Sequence, residues 1–108
     1  MTSQFSGAAM GSAQTGYSAA VRGCLAMADS GDIQQALARC QAEISAHPAD
    51  GWAYDALGLI YCLNLKSNTH SSIMEGARQA FMRGLDCPNA DPVFVMHLAA
   101  LLNAIHQP

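Results

Sequence analysis

The feature that most limits the fold of this 108-residue chain is a repeat at a fixed offset. Apolar positions recur 34 residues later in the first half of the repeating unit and 41 residues later in the second half, and the difference is an insertion of seven residues near positions 66–72. A period near 34 residues is typical of stacked helical hairpins, because each hairpin buries its apolar face against the next one. The corresponding triplets are Ala20, Cys24 and Met27 with Tyr54, Gly58 and Tyr61, and Ala36, Cys40 and Ile44 with Ala77, Phe81 and Leu85.

Local signals predict five helices and no strand. The Ser30-Gly31 pair is expected to end the first helix, and Pro48 is expected to close the second, because both sequences interrupt helical hydrogen bonding. An aspartate followed by proline suits a helix start, since the proline lacks an amide that would be unpaired there anyway. The predicted boundaries are Tyr17 to Asp29 for the first helix, Asp32 to Pro48 for the second, Asp50 or Gly51 to about Leu65 for the third, Ser72 for the start of the fourth and Asp91-Pro92 for the start of the fifth.

Two of these helix starts carry a capping-box pattern. Asp32 is followed three residues later by Gln35, and Ser72 is followed three residues later by Glu75. In such a box, the first side chain accepts a hydrogen bond from a free amide of the first turn and the second side chain accepts one from the capping residue. We therefore predict boxes at the starts of the second and fourth helices.

The middle unit has the most specific pattern, with Tyr54, Leu57, Gly58 and Tyr61 on one helix, Ala77, Phe81 and Leu85 on the next, and Pro48 and Pro88 near the ends of the units. This pattern resembles the tetratricopeptide repeat over residues 17–106. The resemblance implies an all-α, tetratricopeptide-like stack of two helical hairpins plus a C-terminal capping helix. Gly23 and Glu43 depart from the usual pattern, in which a leucine and a small residue stand at these positions.

The chain divides into an N-terminal arm, residues 1–16, and a helical domain, residues 17–108. The arm has no charged residue and consists mostly of small and polar residues, so we predict that it is disordered. It lacks the basic start and the apolar core of a secretory signal, and the most apolar segment, residues 93–105, is too short to span a bilayer. We therefore predict a cytoplasmic protein without membrane insertion.

The chain is poor in charge. Lys, Arg, Asp and Glu make up 12% of the residues, against about 25% in an average soluble domain. Charged side chains normally coat exposed helices, so we expect another protein to cover part of the surface. The alternative is a small domain that is merely apolar.

The resemblance also assigns a concave groove to the first, third and fifth helices. An apolar groove suits an apolar helix or an extended segment of a partner, with Trp52 as an anchor, because large aromatic residues dominate interface energetics. The alternative is that Trp52 and Leu63 pack against a neighbouring hairpin or the N-terminal arm. The predicted groove residues are Val21, Leu25, Trp52, Asp55, Leu59, Cys62, Leu63, Val93 and Met96.

A narrower resemblance rests on the order of the elements. A hairpin with Gly31-Asp32 at its bend, an aromatic-rich helix after a proline, a short second hairpin and a terminal helix entered through Asp91-Pro92 are similar to the small chaperones of type III secretion needle subunits. That resemblance implies a partner with an amphipathic helix, held together with a second small cochaperone. A self-associating structural adaptor, active as a homodimer, is the competing hypothesis.

No residue pattern predicts an enzyme, a cofactor or a metal site. The four cysteines, at positions 24, 40, 62 and 87, form no paired motif, and the four histidines have no metal-ligand spacing. We predict that Cys24 and Cys40 are reduced and buried, whereas Cys62 carries the hypothesis of a thiol-based regulatory protein. The five basic residues are scattered and the net charge is −3, which argues against nucleic-acid binding. The loop at residues 66–72 is predicted to lie at the surface, with a side contact to a second partner as its functional alternative.

Overall fold

The computed structural model describes residues 16–65 and 71–106. These residues form helices joined by turns, without a strand, so the predicted all-α fold is confirmed. The helices are α1 (Ala19–Asp29), α2 (Ile33–Ala46), α3 (Gly51–Leu65), α4 (Ser71–Leu85) and α5 (Pro92–His106). The predicted arm, apart from Gly16, and residues 66–70 of the predicted loop lie outside the described residues.

The helices pack in the order of the chain. Each helix contacts the next one, and in addition α1 contacts α3 and α3 contacts α5. Contacts that stay between neighbours in sequence are typical of helical repeats. Because α3 contacts all four other helices, it is buried on several sides, and its fully enclosed residues include Ala53, Ala56 and Ile60.

Most predicted helix ends agree with the structure. α2 ends at Ala46, ahead of Pro48, and α3 begins at Gly51. The carboxylate of Asp91 accepts a hydrogen bond from the amide of Val93 at 2.9 Å, so the predicted start of α5 is confirmed. α1 begins two residues later than predicted, because the side chain of Ser18 caps it by accepting from the amide of Val21 at 3.2 Å.

The predicted capping box at the start of α2 is wrong. Asp32 does precede the helix, but its side chain makes no capping hydrogen bond. The reason lies in the end of α1, where Gly31 adopts a positive φ of 101° and donates its amide hydrogen bond to Ala28, while the amide of Asp32 donates to the carbonyl of Met27. This is a Schellman motif. The motif already uses the backbone amide of Asp32, to which the side chain of Gln35 was expected to hydrogen bond.

The second predicted capping box is also wrong. α4 begins at Ser71, so Ser72 lies inside the helix rather than at its cap. The carboxylate of Glu75 pairs instead with Arg78, whose Nε donates to it at 3.0 Å, and also accepts from Gln79. Pairs of opposite charge three or four residues apart are common on exposed helix faces.

α3 and α4 pack tightly against each other at Gly58. A Cβ atom at this position would lie 2.5 Å from the ring of Phe81, which is closer than real contacts allow. Glycine is therefore required by packing, since any side chain would force the ring or the helix to move. Phe81 is itself fully buried.

Candidate functional site

A cavity of about 510 Å³ lies between α1 and α3. On α1 the lining residues follow Arg22 at intervals of three, four and seven positions, and on α3 they follow Leu59 at intervals of three and four. Each set therefore occupies one face of its helix. The volume is in the range of about 300–1,000 Å³ that is usual for ligand sites. The cavity is lined by Tyr17, Arg22, Leu25, Ala26, Asp29, Leu59, Cys62 and Leu63.

Four of the predicted groove residues line this cavity. Leu25 belongs to α1, and Leu59, Cys62 and Leu63 belong to α3. All four are half-buried, so part of each side chain faces the cavity and part packs into the helical core. The structure thus brings together an apolar set that lies more than 30 residues apart in the sequence.

Three other predicted groove residues are buried, and the expectation that they line an open groove is corrected. Val21 is 1% exposed, Trp52 is 8% exposed and Asp55 is fully enclosed. The indole of Trp52 is held edge-on between two rings, with centroids 4.8 Å from Tyr17 and 4.9 Å from Phe94. Trp52 therefore packs against neighbouring residues, as the alternative hypothesis stated, and its ring surface is buried inside the molecule.

The two predicted residues of α5 are not among those that line the cavity. Val93 is half-buried and packs against the main core. Met96 is 67% exposed, on the same helix as Val95, which is 53% exposed. These exposed side chains form a separate apolar surface on α5.

A buried polar cluster lies beside the cavity, and sequence reasoning missed it. The hydroxyl of Tyr17 donates a hydrogen bond to the carboxylate of Asp55 at 2.6 Å. On the other side, Nδ1 of His97 lies 2.9 Å from both oxygens of this carboxylate. The signal in the sequence was that Asp55 is the only charged residue of α3, because a charge in so apolar a helix needs partners when it is buried.

The electrostatics of this cluster favour the protonated form of His97. Its hydrogen bond with Asp55 raises the pKa of His97 above the ordinary value, although partial burial acts in the opposite direction. Burial, and then the hydrogen bond to Asp55, raise the pKa of Tyr17, so its hydroxyl remains a neutral donor. The cluster thus links Tyr17, which precedes α1, to Asp55 of α3 and His97 of α5. Because Tyr17 also lines the cavity, it supports the wall of the cavity as well.

Two opposite charges border the cavity on the α1 side. Arg22 and Asp29 are seven residues apart, which is about 10 Å along a helix. Nη1 of Arg22 donates to the carbonyl oxygen of Tyr17 at 3.2 Å, so the guanidinium is attached to the start of the helical domain. Between these charges the α1 wall is apolar, with Leu25 and Ala26.

The cysteines differ in burial. Cys24 and Cys40 are buried and free, as predicted, whereas Cys62 and Cys87 are half-buried. Burial raises the pKa of Cys62, and the charge of Asp55 raises it further. Since the thiolate is the reactive form of cysteine, this environment lowers the reactivity of Cys62, which weighs against the thiol-regulatory hypothesis.

Within the described ranges, no three His, Cys, Asp or Glu side chains come close enough together to hold a metal ion. None of the helices in residues 16–65 and 71–106 combines the length and the apolar character that a bilayer-spanning segment needs. Comparisons of the chain with protein-family models, with curated proteins and with solved structures find no match.

Proposed function

We propose that this protein binds an apolar helix or extended segment of another protein, without catalysis, in the cavity between α1 and α3. The observation that carries the proposal is the apolar lining shared by the two helices, with Leu25 on one side and Leu59 and Leu63 on the other. Apolar helices laid into such grooves are recognised through residues at intervals of three, four and seven. The half-buried state of these leucines leaves surface for a partner to cover.

The sharper form of the proposal is a cytoplasmic chaperone or cochaperone of a type III secretion needle subunit. It is supported by the tetratricopeptide-like pattern, by the order of the elements and by the low content of charged residues. The ligand would be the amphipathic helix of an aggregation-prone subunit, and a second small cochaperone would complete the complex. The charges of Arg22 and Asp29 at the border of the cavity would then orient the bound helix, because opposite charges fix register more than they add affinity.

A second candidate is a self-associating structural adaptor, and the surface of α5 favours it. Val95 and Met96 are exposed, and α5 contains no Lys, Arg, Asp or Glu. Two copies can therefore meet through Val95 and Met96 without bringing Lys, Arg, Asp or Glu side chains of this helix against each other. In this case the partner is a second copy of the same chain.

The proposal is tested by co-expressing the chain with candidate partners and measuring the mass of the purified species by light scattering. Ala26→Glu places a charge in the cavity at an exposed position of α1, and Ala38→Glu places the same charge at an exposed position of α2 that does not line the cavity. We expect Ala26→Glu to lose the heterologous complex and Ala38→Glu to retain it. If both variants retain the complex, binding occurs outside the cavity.

The same measurement distinguishes the adaptor. A homodimer that dissociates with Met96→Glu, and that is unaffected by Ala26→Glu, would assign the interaction to α5. A chain that is monomeric alone and forms a defined complex with a partner would support the cavity instead.

A further inference from the structure

The two charges of α1 are placed against the dipole of their own helix. Arg22 and Asp29 are the only charged residues of this helix, with Arg22 at its fourth position and Asp29 at its last. A helix carries partial positive charge at its N-terminus and partial negative charge at its C-terminus, so a cation is disfavoured at the first end and an anion at the second. Each charge of α1 therefore lies towards the end that disfavours it.

Neither charge is neutralised by a neighbouring residue. In residues 16–65 and 71–106, the side chain of Asp29 has no hydrogen-bond or ion-pair partner, and no carboxylate pairs with Arg22. The guanidinium of Arg22 uses one of its five N–H donors for the carbonyl oxygen of Tyr17, at 3.2 Å. Seven residues of helix separate the two charges by about 10 Å, which is too far for an ion pair. Both side chains are exposed and lack a counter-charge within the described part of the chain.

Both charges nevertheless border the same cavity. Leu25 and Ala26 of α1 lie between them, and the lining leucines of α3 lie across the cavity. A site with a cation at one end, an anion at the other and apolar side chains between them is complementary to a segment with the inverse charges. Residues seven positions apart lie on one face of a helix, two turns apart. A second helix can therefore match the spacing of Arg22 and Asp29.

We propose that the segment bound in the cavity is a partner's helix that carries an acidic and a basic residue seven positions apart, with apolar residues three and four positions along between them. The acidic residue faces Arg22, the basic residue faces Asp29, and the apolar residues pack against the leucines of α1 and α3. This inference rests on the proposed function and adds the charge pattern by which the partner is selected. Opposite charges across an interface fix register and exclude wrong partners more than they add affinity. A helix with two charges of the same sign meets one repulsive contact in either direction.

The test measures the binding of four synthetic helical peptides that share one apolar face and differ only at two positions, seven residues apart. These positions carry Glu and Lys, Lys and Glu, Glu and Glu, or Lys and Lys, and binding to the full chain is followed by fluorescence anisotropy at low salt. We expect a mixed-charge peptide to bind about three- to tenfold more tightly than both like-charge peptides, since each exposed pair of opposite charges contributes a few-fold. This preference should largely disappear in about 1 M salt, where charges are screened beyond about 3 Å.

Charge-reversal variants assign the preference to the two residues. Asp29→Lys is expected to favour the peptide with two Glu residues, and Arg22→Glu is expected to favour the peptide with two Lys residues. Arg39→Glu makes the same change of charge at an exposed position of α2 that does not line the cavity, so it is expected to keep the preference for mixed charge. Circular dichroism checks that each variant is folded. Asp29→Lys places a cation where the helix dipole favours one, so this variant remains informative if Arg22→Glu does not fold.

The outcomes separate the charge pattern from the proposed function. If Ala26→Glu abolishes binding but all four peptides bind the wild-type chain equally, the cavity is the binding site and the charge pattern is refuted. A preference for mixed charge that persists in Asp29→Lys and in Arg22→Glu would also refute it. If no peptide binds, or if Ala26→Glu leaves binding unchanged, the cavity does not hold an apolar helix, and both the charge pattern and the proposed function are contradicted.

Discussion

The most direct test of the buried polar cluster is the variant Tyr17→Phe, which removes one oxygen atom. In the structure this oxygen donates to the fully buried carboxylate of Asp55 at 2.6 Å. The ring of Tyr17 packs edge-on against Trp52, and phenylalanine keeps that contact. The variant therefore isolates the hydrogen bond from the aromatic packing.

The expected loss of stability follows from the nature of this hydrogen bond. Hydrogen bonds to charged groups contribute about 1.5–3 kcal/mol to stability, and small domains have a total stability of only about 5–15 kcal/mol. At about 4–8 °C per kcal/mol for a domain of this size, Tyr17→Phe is expected to lower the melting temperature by about 6–24 °C. The fold itself is expected to persist, because the second partner of Asp55, His97, remains in place.

Thermal unfolding and urea unfolding, followed by circular dichroism, measure the effect. Tyr61→Phe is the matched control, since it removes the same atom from a half-buried tyrosine outside the cluster, and we expect it to change the free energy of unfolding by less than about 0.5 kcal/mol. The slope of the urea transition should be the same for wild type and variant, which would show that only stability changed. If Tyr17→Phe is no more destabilising than Tyr61→Phe, the hydrogen bond between Tyr17 and Asp55 contributes little to the stability of the fold.

Two further predictions concern packing and pH. Gly58→Ala is expected to destabilise the protein by about 1–3 kcal/mol in urea unfolding, because the added Cβ would meet the ring of Phe81. Gly23→Ala is the control, since nothing lies within 4 Å of the added atom, and it is expected to stabilise α1 by about 0.5–1 kcal/mol. Equal effects of the two variants would refute the close approach at Gly58. Because the pKa of His97 is raised, its pairing with Asp55 stabilises the fold fully at pH values below the ordinary histidine pKa, and this stabilisation is lost as the pH rises through the raised value. The corresponding drop in the free energy of unfolding should be absent from the pH profile of His97→Gln. Identical profiles for the wild type and the variant would contradict the pairing of His97 with Asp55.

Features set by a few consecutive residues were predictable from the sequence. Pro48 and the Asp91-Pro92 pair act on the backbone directly, so α2 ends just ahead of Pro48 and α5 starts at Pro92, close to the predicted positions. The capping box at Asp32 failed for a reason that is also local, because the amide of Asp32 already completes the turn at the end of α1. The signal of that competing motif was Gly31, which adopts the positive φ that the turn requires.

Features that depend on how helices pack were predictable only in part. The apolar positions Leu25, Leu59 and Leu63 were assigned to one surface because the repeat places them on equivalent helices, and the structure brings them to one cavity. The same register assigned Trp52 and Asp55 to that surface, but the aromatic contacts and the bonds to Asp55 turn both inward. Their partners come from other helices and from the segment ahead of α1, which no local pattern identifies.

Occupation of the cavity by a partner is measured by the alkylation rate of Cys62 in the isolated complex with a co-expressed partner, compared with the rate in the chain alone. Cys62 lines the cavity between α1 and α3, whereas Cys87 lies outside it and serves as the internal reference. If an apolar segment of the partner occupies the cavity, alkylation of Cys62 slows several-fold and that of Cys87 does not change. An unchanged rate at Cys62, in a complex that is nevertheless stable, would place the partner elsewhere and contradict the proposed function.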